Sequence, residues 1–188
     1  MAIGDRRTDR REDVELSLLI ERIPHGKREL FEGGLGGFRA KLTGLMQYLR
    51  ETQKAREALK ILESRNPDIA KYLYTVENRL QAIGPSVAGA IVDPKYVQIV
   101  NLSSTGLRAD SLVLVSPGEH VLVRALHTQS NSIFVAVGEV VYTQPPNHEA
   151  LEGSQCQVAL QFVATGAEDQ AAIKRTIAAA MLSKTTAA

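Results

Sequence analysis

The sequence predicts a mainly β protein of the α+β class: a barrel or sandwich of short strands, with two long helices after the first strand and a third helix at the C-terminus. Three observations predict it. Val14, Leu16, Leu18 and Ile20 alternate near the N-terminus; apolar residues between Leu35 and Ile83 recur at steps of three and four; five short segments rich in Val, Ile and Leu follow Lys95. A period of two marks a strand with one buried face, a period near 3.6 an amphipathic helix, and closely spaced short strands a barrel or sandwich.

The first strand spans Val14 to Ile20 and is closed by Pro24 and Gly26. From about Lys27, Leu35, Phe38, Leu42, Leu45 and Leu49 form one helical stripe, continued by Leu59 and Leu62. Asn66-Pro67 stops this helix because the residue before proline is pushed out of the α region, and Asp68 is placed to cap a second one. There Ile69, Tyr72, Val76, Leu80, Ile83 and Val87 repeat the pattern, and Gly84-Pro85 is expected to end its regular part. So much apolar surface needs another helix, either its own neighbour in a hairpin or a second subunit in a coiled coil. The stripe residues Leu35, Phe38, Leu42, Leu45, Leu49, Leu59, Leu62, Ile69, Val76, Leu80 and Ile83 are the candidates for self-association.

Strands are expected at Tyr96 to Val100, Leu112 to Val115, His120 to Leu126, Ile133 to Tyr142 and Gln157 to Phe162, separated by turn clusters such as Ser103-Ser104-Thr105-Gly106 and Ser116-Pro117-Gly118. Ile173, Ile177 and Met181, four apart in an Ala-rich run, predict the final helix. The organisation is therefore residues 1–26 as an arginine-bearing arm and first strand, 27–92 as a helical insertion, and 93–188 as the rest of the barrel with its helix.

Composition narrows function. The 188 residues hold 22 Lys+Arg against 21 Asp+Glu, so no broad nucleic-acid surface is expected, although Arg6, Arg7, Arg10 and Arg11 concentrate positive charge at the start. One Cys excludes an internal disulfide, and no Cys and His set has zinc-site spacing; a reducing, cytoplasmic setting is expected. No apolar run reaches the ~18 residues of a membrane span. The four His residues, His25, His120, His127 and His148, are scattered and read as solvated or turn positions, and Cys156 has no base placed beside it. Gly33-Gly34-Leu35-Gly36-Gly37 lacks the Lys and hydroxyl residue of a phosphate loop and reads as a flexible entry to the first helix. Nothing assembles a catalytic or metal site, so the expectation is a binding protein, with no enzyme activity and no metal.

Two features stand out. Arg6-Arg7-Thr8-Asp9-Arg10-Arg11 contains Arg-x-x-x-Arg twice just ahead of the first strand; clustered guanidiniums suit phosphate oxygens and stack on purine faces, while a solvated arm paired with Asp5, Asp9, Glu12 and Asp13 is the plain alternative. Asn101-Leu102-Ser103-Ser104-Thr105-Gly106 follows a strand; its amide, hydroxyl and glycine can meet a ligand, or simply make a turn.

Together, Arg-x-x-x-Arg before a barrel and Asn-x-Ser-x-x-Gly on an early barrel strand resemble the signature of the PilZ family, receptors for the bacterial second messenger cyclic di-GMP. Leu107-Arg108, Pro117 to Val121, Gly138 to Val141, Cys156 to Phe162 and Ile173 to Ile177 are similar to that family's later strands and C-terminal helix. Arg11 and Asn101 lie ninety positions apart with two helices between them, a departure from the usual member. Asp68 to Leu73 and Asn78 to Ile83 resemble the long-helix segment of helix-inserted, tetrameric PilZ proteins, some of which have lost the ligand motif. The resemblance implies that Arg7 and Arg11, or Arg6 and Arg10 in the other register, clamp phosphates and stack on guanine, and that Asn101, Ser103 and Gly106 meet the second guanine and a phosphate. It implies a six-stranded antiparallel β-barrel with the helical pair between its first and second strands, cyclic di-GMP as ligand, a homo-oligomer through the inserted helices, and a downstream protein controlling motility, pili or exopolysaccharide. The alternative is an adaptor of the same fold that binds no nucleotide and works by protein contacts. Folded helices with close ends count as a short connection, so the insertion leaves the arm within reach of the barrel.

Overall fold

The computed structural model describes residues 11–88, 96–127, 132–146 and 150–186. Along the chain run β1 (Glu12–Arg22), α1 (Arg28–Arg65), α2 (Pro67–Ala88), β2 (Val97–Ser103), β3 (Gly106–Ser111), β4 (His120–His127), β5 (Ser132–Gln144), β6 (Cys156–Thr165) and α3 (Ala167–Thr186). The six strands close a barrel in the order β1-β2-β3-β6-β5-β4, every neighbouring pair antiparallel. Both expected helices stand between β1 and β2.

Closure depends on the length of β1. Its first half, Glu12 to Ser17, pairs with β2, and its second half, Ser17 to Arg22, pairs with β4. Val14, Leu16, Leu18 and Ile20 point inward and meet Val100, Leu102, Val121, Val123, Phe134, Ala136, Val158 and Leu160 in one cluster. Ala172, Ile173, Ile177 and Ala180 of α3 join this cluster, so the last helix packs one face onto the barrel core along the four-residue stripe its sequence predicts.

The near-continuous apolar runs of β4 and β5 have a physical reason: these strands are buried on both faces. Inward residues face the barrel core, while Leu122, Val135 and Val137 face outward and are covered by Leu35, Phe38 and Leu42 of α1 together with Ile23. This corrects the expectation that the start of the helical stripe forms a seam between subunits. Leu35 and Leu42 are buried within a single chain, and Phe31 stacks on Phe38 beside them. The side chains of Leu45, Leu49, Leu80 and Ile83 lie outside the described residues. Leu42→Asp is expected to destabilise the folded chain by about 2 kcal/mol, seen as a lower urea midpoint, because a carboxylate replaces a buried contact on the barrel wall. An unchanged midpoint accompanied only by dissociation would contradict this placement.

Other boundaries also moved. The glycines from Gly33 to Gly37 lie inside α1, not ahead of it. Their helix-breaking tendency, roughly 1 kcal/mol each, is offset by docking against β5. At the corner, Asn66 is the C-cap of α1 and its Oδ1 accepts the Ile69 N–H at 3.5 Å, so Asn66 rather than Asp68 caps α2, with Pro67 as first helical residue. Leu59 and Ala70 are buried near this corner, where the two helices pack on each other. α2 continues through Gly84 and Pro85 to Ala88. The segment Leu112 to Val115 is not a strand: Ser111 Oγ donates to Val113 O at 2.7 Å and accepts Val113 N–H at 3.2 Å, which pulls the chain out of the ladder.

An ion pair fastens α1 to the barrel. Arg39 donates to the buried Asp169 Oδ1 at 2.6 Å and lies 2.8 Å from Glu168 Oε2, while Asp169 Oδ1 also accepts the Val135 N–H at 3.0 Å. His127, read as a solvated position, is instead 2% exposed at the end of β4, and burial lowers its pKa from the ordinary 6.5 despite the opposing pull of Glu15. The unfolded chain therefore takes up this proton first as pH falls. Stability is expected to decline as pH drops below about 6.5, and a denaturation series on His127→Asn should lose that part of the slope.

Candidate functional site

The Asn-x-Ser-x-x-Gly segment forms a tight hairpin. Asn101 and Ser103 belong to β2, Ser104 and Thr105 make the turn, and Gly106 opens β3 opposite Ser103. Polar composition ends the expected strand at Val100 and makes Ser103 to Gly106 a turn; the ladder instead runs on through Ser103 and resumes at Gly106 as β3 (Gly-Leu-Arg-Ala-Asp-Ser), a segment absent from the expected strands.

Each motif residue has a structural partner. Asn101 Nδ2 donates to Asp13 Oδ1 at 2.7 Å across the β1–β2 pair. Ser103 is buried, and its Oγ donates to Gly106 O at 3.1 Å, tying the two arms of the hairpin. Gly106 lies so close to β6 that a Cβ there would stand 2.1 Å from Leu160 O. The turn is also held from outside: Phe162 N–H donates to Thr105 O at 2.8 Å, and Gln170 Nε2 of α3 donates to Ser104 O at 3.1 Å.

Strand pairing brings the start of β1 to this hairpin. Glu12 is opposite Leu102 and Asp13 opposite Asn101, so Arg11, exposed and one residue before β1, sits at the level of Ser103. The ninety positions between Arg11 and Asn101 are closed by the barrel itself. Arg6, Arg7 and Arg10 lie outside the described residues.

Asp13, Asn101 and Arg108 face outward in one row across β1, β2 and β3, since their neighbours Val14, Val100, Leu102, Leu107 and Ala109 face the core. The row continues to Ala159 of β6, a small residue beside Arg108, and to Tyr142 of β5. Arg108 is exposed and has no ion pair among the described residues. Period-two alternation marks faces but not strand partners, so Asp13 could not be linked to Asn101 from sequence. The outer wall thus offers an amide, a carboxylate, a guanidinium and an aromatic ring along one row, with Arg11 at one end. Such a surface can hold an anionic planar ligand by hydrogen bonding and stacking. Among the described residues no group of His, Cys, Asp and Glu could hold a metal ion, and no helix is long and apolar enough to cross a membrane.

No family model and no curated protein matches the chain. Among solved structures it is similar to a pathogenic protein from Xanthomonas campestris, described as a tetrameric PilZ domain self-assembled through an unusual helical bundle. The identity is 16% and the TM-score 0.45, covering 96% of this chain and 92% of that one. The barrel assignment stands on the strand order and register given above.

Proposed function

We propose that this chain is a PilZ-type effector that binds cyclic di-GMP on the outer wall of its barrel and relays that event to a partner protein in the bacterial cytoplasm. The observation that carries the reading is the β1–β2 register, which sets the root of the arginine arm beside the Asn101 to Gly106 hairpin. Arg7 and Arg11, or Arg6 and Arg10, would clamp the phosphates from the arm. Asn101 and Arg108 would meet a base and phosphate from the wall, with Ser103 and Gly106 shaping the hairpin beneath. An arm that closes on a dianionic ligand changes the exposed surface, and a partner that recognises the closed form turns binding into a signal.

The test is calorimetric titration with cyclic di-GMP. Wild type is expected to give saturable heat, and Arg7→Ala with Arg11→Ala to weaken binding by about tenfold or more, since each replacement removes charge-assisted hydrogen bonds. Arg108→Ala is expected to weaken it by a smaller factor. Absence of heat from wild type would overturn the reading in favour of an adaptor that binds no nucleotide. One observation favours that second reading: Asn101, Ser103 and Gly106 all have partners within the fold, so the motif is explained without a ligand.

The inserted helices are proposed to carry assembly through the part not docked on the barrel. Ile61, Ile69, Tyr72, Leu73 and Val76 are exposed there, Tyr72 at 69% and Ile69 at 49%. Tyr72→Asp with Val76→Asp is expected to lower the mass seen by light scattering to that of one chain; a wild type already of that mass would contradict assembly.

A further inference from the structure

We propose that a second ligand site, for a small phosphate-bearing molecule, lies at the opposite end of β1. A cleft of about 440 Å³ opens there between the end of β1, the Pro24 to Lys27 turn, the start of α1 and the Gly118 to His120 entry to β4. Arg22, His25, Arg28 and His120 line it, and Glu119 is the one carboxylate on its wall. The volume suits a small metabolite. β1 has 11 residues, which places this cleft roughly 30 Å from the hairpin. The proposal is therefore independent of the cyclic di-GMP reading.

The hydrogen-bond inventory points to an anion. Glu119 is already engaged, one oxygen by Arg22 and the other by the Ser116 N–H at 2.9 Å. Arg28 Nε is held by Glu32 at 2.5 Å, and its Nη1 lies 3.2 Å from His120 Nε2, with Glu139 4.0 Å from the same ring nitrogen. An arginine nitrogen can only donate, so in that contact His120 Nε2 stands as the acceptor and is occupied. The lining still holds donors beyond these contacts: the remaining guanidinium N–H groups of Arg22 and Arg28, and the His25 ring. Two guanidiniums lining one cleft, from β1 and α1, give forked donors that match phosphate oxygens in pairs. Ile23 and Pro24 supply an apolar edge for the rest of the ligand.

The test is an NMR titration of the full chain with inorganic phosphate and with AMP, using sodium chloride at matched ionic strength as control. Amide signals of residues 22–28 and 118–120 are expected to shift and saturate with both phosphate probes but not with chloride. Arg28→Ala with His120→Ala is expected to weaken binding by about tenfold, while Arg108→Ala leaves it unchanged. Arg28→Lys, which keeps the charge at a half-buried position but loses the fork, provides a folded comparison and is expected to bind several-fold more weakly. Shifts no larger than those from chloride, or equal affinity in wild type and both Arg28 variants, would overturn the proposal.

Discussion

Replacing Gly106 with alanine is expected to cost about 3 kcal/mol or more in equilibrium urea denaturation, and valine more still. The added Cβ would lie 2.1 Å from Leu160 O, and backbone cannot move aside as a flexible side chain can. β3 and β6 would have to separate at the Gly106–Gln161 pair, beside the 2.8 Å bond from Phe162 N–H to Thr105 O. Gly138→Ala is the internal comparison: its added Cβ would approach Leu160 Cβ no closer than 3.4 Å, so a much smaller loss is expected. A Gly106→Ala loss below about 1 kcal/mol would mean that the hairpin moves freely, and the description of a tightly tied motif would fail. The result also governs how ligand binding is read: weaker binding in a Gly106 variant reports on a displaced hairpin before it reports on a missing contact.

Arg39→Ala is expected to destabilise the chain by about 3 kcal/mol. Asp169 is 3% exposed at its side chain and would lose its 2.6 Å guanidinium partner while keeping only the Val135 N–H among the bonds described above. Removing one member of such a pair leaves an uncompensated carboxylate in a dry setting, a larger penalty than the net worth of the pair. In a cycle with Asp169→Ala, the two losses are expected to be non-additive by about 1 kcal/mol or more. Additivity would mean that the two side chains act separately. The neighbouring Glu168 is largely exposed, so Glu168→Ala is expected to change little.

Much of the architecture was legible in the sequence because two periods were clean. Val14 to Ile20 alternate, and they line the barrel. The helical stripe beginning at Leu35 does bury one face, and Ile173 and Ile177 do pack onto the core. What a period cannot say is which surface a buried face meets. Leu35 and Leu42 read equally well as seam residues of a coiled coil and as a helix lying on a sheet, and only the two-sided burial of Leu122, Val135 and Val137 decides for the sheet in one chain. Short polar strands were illegible for a related reason. Gly106 to Ser111 carries Arg108 and Asp110 on its outer face, so its turn-like composition hides the ladder to β6. The opposite error came at Leu112 to Val115, where apolar content suggested a strand but a serine hydroxyl captures the backbone two residues on. Of the candidate site, the motif residues were readable one by one. The place of Arg11 beside them, and the outward direction of Arg108, follow from strand register, which local sequence does not encode.

The measurement that bears most directly on the central claim is an NMR titration of isotope-labelled protein with cyclic di-GMP, following residues 6–11 and 101–108 together. If arm and hairpin form one site, both sets of amide signals shift along a common saturation curve, and Arg11→Ala weakens both responses equally. If neither set responds, or if the hairpin signals move while those of residues 6–11 stay fixed, the two do not grip one guest and the receptor reading is contradicted.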